Sequence, residues 1–123
     1  MPTPKSTPSI ESHIVRYHPE AVAELLAYEK ALIKKALNSV SLLQNLGDKT
    51  IPPHSDKVAG ATKLRELRPG GGKALIRPLY YRRSTGHYEI LAVGPEAVTD
   101  PRGFNQAVKR AQKRAKEDYG DTV

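Results

Sequence analysis

The sequence predicts a small α+β domain: a mostly antiparallel sheet of about four strands, an N-terminal helical region on one face, and a C-terminal helix. Three observations predict it. Apolar side chains recur at helical spacing between residues 19 and 46; three short strand-like runs after residue 62 are separated by glycine-bearing turns; and a second apolar stripe at helical spacing closes the chain. Helices and consecutive antiparallel strands in this order make one layered unit, and 123 residues suit one domain with one core.

Taken in order, residues 1–11 carry one cation and no apolar core, which reads as a disordered tail and as neither a signal peptide nor an anchor. The domain is expected over residues 12–119, with 120–123 as a C-terminal tail. Ser12 to Tyr17 reads as a first strand. His18-Pro19-Glu20 reads as a helix start, with proline at the first helical position and a carboxylate at the positive dipole end. Val22, Leu25, Leu26, Leu32, Ile33, Ala36, Leu37, Val40 and Leu43 follow at helical spacing. Glu29 is the weak point, Asn38-Ser39 offers a break into two helices, and Gly47 a stop. Asp48 to Ala61, with Pro52-Pro53 and Gly60, reads as a loop. Strands are expected at about Lys63–Arg68, Ala74–Arg82 and His87–Val93, joined by Pro69-Gly70-Gly71-Gly72 and Ser84-Thr85-Gly86. Pro78, which cannot donate a ladder hydrogen bond, implies an edge position or a bulge. Thr99 or Asp100 caps the last helix and Pro101 opens it; Phe104, Ala107, Val108, Ala111, Ala115 and Tyr119 form its apolar stripe.

Composition excludes some functions and favours others. There is no cysteine, so no disulfide and no thiolate metal site, which suits a reducing cytoplasm. The longest apolar run is Ile90-Leu91-Ala92-Val93, far short of the ~20 residues of a membrane span. The histidines show no ligand spacing, so neither metal nor cofactor is expected. The net charge is +7, and the bases fall in two blocks. One holds Lys57, Lys63, Arg65, Arg68, Lys73, Arg77, Arg82 and Arg83; the other Arg102, Lys109, Arg110, Lys113, Arg114 and Lys116. This asymmetry points to a polyanionic partner.

Lys63-Leu64-Arg65-Glu66-Leu67-Arg68-Pro69-Gly70, followed by Arg77 in the next strand, resembles the strand and turn of HigB-type toxins, also called phage-derived Gp49-like proteins. Leu43-Gln44-Asn45-Leu46-Gly47 is similar to the family's helix end, Ile90-Leu91-Ala92-Val93-Gly94 to its last strand, and Phe104 to Arg110 to the terminal helix of RelE. The resemblance runs from about Ser12 to Tyr119. It implies a RelE/ParE-like fold and the toxin half of a toxin–antitoxin pair, neutralised by an antitoxin that often carries a helix-turn-helix. RelE-type toxins cut mRNA in the ribosomal A site, whereas ParE poisons DNA gyrase. The resemblance therefore implies the ribosome and mRNA as partners. A non-enzymatic inhibitor, or a plain nucleic-acid-binding module, is the alternative.

RNA cleavage of that kind is attack of a ribose 2′-OH on the adjacent phosphate. It needs preorganised cations and two proton transfers. Hairpin counting sets Arg77 opposite Leu64 or Arg65 on one side and Ala92 or Val93 on the other. One such register puts Arg65 and Arg77 on the same face, beside the Gly94 loop. Arg77 is the expected transition-state cation, with Arg65 beside it. Basic residues expected after Gly94 are replaced by Pro95-Glu96, which leaves Glu96 as the candidate base and Arg102 as a replacement cation. Lys63, Arg68, Lys73, Arg82, Arg83, Lys109 and Arg110 are expected on the nucleic acid. Phe104, where RelE has a tyrosine, is core or a stacking platform, and one of Tyr80, Tyr81 and Tyr88 is expected exposed for stacking.

Overall fold

The structure is a computed structural model and describes residues 12–123. The expected tail over residues 1–11 lies outside the described residues. Strand β1 (Val15–Tyr17) leads through His18 into helix α1 (Pro19–Leu26). The His18 ring caps α1: its Nδ1 accepts from the Glu20 amide at 3.1 Å. That leaves Nε2 to donate to Asp118 at 2.5 Å, tying the start of α1 to the far end of the last helix.

The helical region does break, at Ala27–Glu29 rather than at Asn38-Ser39. Helix α1 buries Ala21 and Leu25; continuing it would carry Glu29 onto that buried face. The chain instead restarts as α2 (Lys30–Leu46), whose buried stripe is Ala36, Ser39, Val40 and Leu43. Gly47 ends α2 with φ of +54°, and a Cβ there would lie 2.5 Å from the His13 ring, so the position requires glycine.

Five strands form one sheet in the order β1-β5-β4-β3-β2, with β2 at Ser55–Lys57, β3 at Arg65–Leu67, β4 at Arg77–Arg82 and β5 at Tyr88–Gly94. β1 pairs parallel with β5, and the other pairs are antiparallel. The strand beyond the expected four is β2, a Ser-Asp-Lys segment inside the expected loop. It has no apolar alternation and exists through its ladder to β3. Helix α3 (Pro101–Tyr119) is capped by Asp100, whose carboxylate accepts from Gly103 N at 2.9 Å.

The helices do not share one face of the sheet. α1 and α2 pack on Leu67, Tyr80, Tyr88 and Ile90, whereas α3 packs through Phe104, Ala107, Ala111 and Ala115 on Leu79, Tyr81, Leu91 and Ala92. Strand alternation sends neighbouring residues to opposite faces, so both faces of β4 and β5 are buried. Gly94 is the closest approach to α3: a Cβ there would meet the Ala107 methyl at 2.5 Å.

Register is where structure and sequence reading part. Arg65 stands opposite Tyr80 and Glu66 opposite Leu79, not near Arg77. The connection after β3 is no tight hairpin turn. A short 3-10 turn at Pro69–Gly72 is followed by four further residues, and β4 begins only at Arg77. Arg77 in turn stands opposite Gly94, not Ala92 or Val93. Pro78 meets both conditions it imposed. The ladder to β3 has ended at Leu79, and the β5 pairing slips between Leu79 and Tyr80, bulging past Leu91.

Candidate nucleic-acid interface

The register separates the two expected catalytic arginines. Arg65 shares a face with Tyr80, toward α1 and α2; Arg77 shares a face with Leu79, toward α3. Arg77 is 1% exposed. Its Nη1 donates to the carbonyls of Ala74 (2.6 Å) and Ile76 (2.9 Å), and its Nη2 to that of Gly72 (3.0 Å). Its Nε lies 3.2 Å from a Glu66 carboxylate oxygen, a contact of charges at an angle that makes no hydrogen bond. Burial pulls the Arg77 guanidinium below its ordinary range and pushes the Glu66 carboxyl above its own, each opposed by the partner's charge. The fork therefore holds the carbonyls of the glycine-rich connection. It offers no face to a phosphate.

The other expected residues of that side are also committed. The Glu96 carboxylate accepts from Val98 N (2.7 Å) and Thr99 N (3.0 Å), closing its own turn. The bond from Val98 holds it below the usual carboxylate range, so it is ionised but already occupied. Phe104 is core, 7% exposed and packed in the α3 cluster, so it is no stacking platform. Tyr80, Tyr81 and Tyr88 are all buried, because both faces of the hairpin are covered. Arg68 is half-buried, 3.6 Å from Glu66. Arg102, Lys73 and Lys109 are exposed. Arg83 lies over the Tyr119 ring at 4.3 Å.

Arg110 has a structural task that the sequence did not reveal. β1 covers β5 only as far as Ile90, leaving the edge at Leu91–Gly94 without a strand. Side chains complete it. Glu24 of α1 accepts from Val93 N at 3.0 Å, Arg114 donates to Leu91 O at 2.9 Å, and Arg110 donates to Val93 O at 3.3 Å. The Glu24 carboxylate in turn receives Arg110 (2.8 Å) and Arg114 (2.6 Å), so α1 and α3 meet around the sheet edge.

One open cleft, of about 360 Å³, lies at the end of the α1/α2 face. Arg65 reaches it from β3, Lys63 from the bend before β3, Arg82 from β4, and Asp48, Thr50 and Ile51 from the segment after α2. Tyr80 and Tyr88 also line it. Arg65 is oriented by Ser55, whose Oγ accepts from its Nε at 3.1 Å and bonds the Tyr80 hydroxyl at 2.6 Å. Asp48 accepts from Tyr88 and from Arg82, both at 2.5 Å. Burial first, then the Asp48 bond, push the Tyr88 phenol up, so it stays a neutral donor. Three cations against one carboxylate leave a net charge of +2. The sequence had offered all three cations, and Tyr88 as one of three candidate stacking residues, but not the Asp48 and Thr50 that complete the cleft. These last two come from a distant segment that the fold brings to Arg65.

A basic α+β domain with a cation-lined cleft is the class that fold and site define. No family model matches the sequence, and no curated protein matches it. Solved structures do. An arginine-to-alanine double mutant of Escherichia coli toxin RelE, in the free state, superposes with a TM-score of 0.57 at 13% identity, covering 80% of this chain and 97% of that one. A chain of the archaeal RelE-RelB complex from Pyrococcus horikoshii gives 0.52 at 21% identity, covering 69% and 96%. The chain has the RelE fold, as the resemblance implied.

Among the described residues no helix is long and apolar enough to cross a membrane, and no group of histidine and carboxylate side chains has metal-binding geometry.

Proposed function

We propose that this chain is the cytoplasmic toxin of a RelE-type toxin–antitoxin pair, of the HigB branch, and that it stops translation by acting on RNA at the ribosome. The observation that carries this reading is the RelE fold bearing a cleft in which Lys63, Arg65 and Arg82 converge. Fixed cations of this kind suit an RNA backbone. The partner that neutralises it is an antitoxin, expected to carry a helix-turn-helix.

In the first form of this function, mRNA is cut: a 2′-OH gives up its proton and attacks the adjacent phosphate, the bond to the 5′-oxygen breaks as that oxygen takes up a proton, a 2′,3′-cyclic phosphate is left, and cations balance the growing charge. The second form is inhibition by binding alone. One observation favours it. Arg77 and Glu96, expected to serve the chemistry, are respectively buried on carbonyls and closing a turn.

Inducing the chain alone in bacteria is expected to arrest growth, with relief by its antitoxin; normal growth at confirmed soluble expression refutes the toxin reading. Primer extension on translating ribosomes separates the two forms. Cleaved A-site mRNA establishes cutting, and arrest without cleavage establishes the binding form. Glu96→Gln is expected to leave arrest intact, because its carboxylate already serves the turn.

A further inference from the structure

The cleft at the end of the α1/α2 face has a chemistry more specific than its charge. Its cations differ in freedom. Lys63 is exposed and makes no ion pair among the described residues. Arg65 spends only its Nε, on Ser55, which leaves both terminal nitrogens of its fork to donate elsewhere. Arg82 neutralises Asp48, so the one carboxylate of the cleft is already paired. Thr50 is 2% exposed, and its buried hydroxyl has no hydrogen-bond partner among the described residues. A buried hydroxyl left unpaired in a well-packed protein points to an absent partner. Beside these donors stands Ile51, an apolar side chain left 59% exposed.

We infer that this cleft is a seat for one nucleotide: Lys63 and the free end of the Arg65 fork hold its phosphate, the Thr50 hydroxyl adds a neutral donor, and Ile51 packs against the sugar or base. The bidentate fit of guanidinium to phosphate suits Arg65. The volume, about 360 Å³, lies at the small end of the ~300–1,000 Å³ range of ligand pockets, a size that suits one nucleotide. The nucleotide arrives either free or as one unit of single-stranded RNA, with the same phosphate chemistry. This names the ligand for the open site of the proposed function, yet it does not require the chain to be a toxin.

The test is a titration of isotope-labelled full-length protein, followed through its amide signals, with three probes: inorganic phosphate, adenosine monophosphate and a single-stranded tetraribonucleotide. Both nucleotide probes are expected to shift the signals of Asp48, Thr50, Ile51, Lys63 and Arg65, and to bind more tightly than phosphate. Tighter binding by the tetranucleotide marks RNA as the source, and equal or weaker binding marks the free nucleotide. Lys63→Ala is expected to weaken binding about tenfold or more while leaving the melting temperature unchanged. Thr50→Val keeps the shape and removes only the unpaired hydroxyl. It is expected to weaken binding while holding or raising the melting temperature.

Shifts centred on α3, nucleotide affinity no better than that of phosphate, or wild-type affinity in both variants would overturn the inference. Growth assays fail separately: a harmless chain that still binds nucleotide here refutes the toxin reading and leaves the seat standing.

Discussion

Replacing Arg77 by alanine tests the assignment that the fold changes most. The substitution removes the partner of three carbonyls, at 2.6, 2.9 and 3.0 Å, and leaves Glu66, 9% exposed, with only Arg68 at 3.6 Å to offset its charge. Breaking a buried pair from one side costs ~3–5 kcal/mol, because a charge is left uncompensated. Domains have only ~5–15 kcal/mol in total, so this is a large share. It corresponds to a fall in melting temperature of about 10–20 °C for a domain of this size. Circular dichroism melts of wild type, Arg77→Ala and Arg77→Lys measure it. The lysine variant is expected between the others, since an ammonium cannot reproduce the planar fork that reaches three carbonyls. Adding Glu66→Gln to Arg77→Ala is expected to recover part of the loss, as the stranded carboxylate is removed. An unchanged melting temperature in Arg77→Ala together with lost activity would refute this reasoning and return Arg77 to phosphate chemistry.

Phe104→Ala is expected to lower stability by ~3–5 kcal/mol through the cavity left under α3, read by urea unfolding; unaltered stability with weakened RNA binding would instead make Phe104 a surface platform. For Glu24, burial alone would raise the carboxyl, but hydrogen bonds from Arg114 and Val93 and the charges of Arg114 and Arg110 outweigh it, so its pKa lies below the ordinary 4.5. Its contribution to stability is therefore present above pH 4.5 and lost as pH falls through the depressed value. Denaturation midpoints between pH 6 and pH 3, both about the acid range where carboxylates titrate, should fall less steeply in Glu24→Gln than in wild type; equal slopes would contradict it. Binding of single-stranded RNA should weaken with salt at a log–log slope of about −0.7, from the one phosphate seated by Lys63 and Arg65. A slope steeper than about −5 would bring the α3 cations into the interface.

The elements were legible because they rest on local signals. Pro19 and Gly47 bound the helical region, Pro101 opens α3, and the apolar stripe of α3 is the one the structure buries. β2 was not legible, since Ser55-Asp56-Lys57 has neither apolar alternation nor β-branched residues and owes its conformation to β3. The break at Ala27–Glu29 was foreshadowed by Glu29 but assigned to the wrong pair, because Asn38-Ser39 has the weaker helix propensity while Ser39 sits on the buried stripe. The site failed on register. A β-strand has a period of two, so an error of odd length exchanges the faces. In the register that would have joined them, the expected partner of Arg65 was Arg77, and the actual one is Tyr80, three residues on. That offset comes from Lys73–Ile76, which continue the connection where a strand was expected, and it sends Arg65 and Arg77 to opposite sides of the sheet.

The same register explains why a net charge of +7 overstates the binding surface. Strands in this chain are short, and a short strand leaves backbone groups of its neighbour unpaired. β1 ends at Tyr17, so the carbonyls of Leu91 and Val93 face no strand; Arg114 and Arg110 take them. β4 begins only at Arg77, so the carbonyls of Gly72, Ala74 and Ile76 find no ladder; Arg77 takes them. An arginine fork supplies several donors from one side chain, which makes it an economical replacement for a missing strand edge, and the carboxylates of Glu24 and Glu66 then balance the buried charge. Basic residues in such a chain thus divide by what lies next to them in the sheet. Those beyond a neighbour's end complete the backbone. Lys63 and Arg65 stand where the ladder needs nothing from them, and that leaves their charge to face an anion.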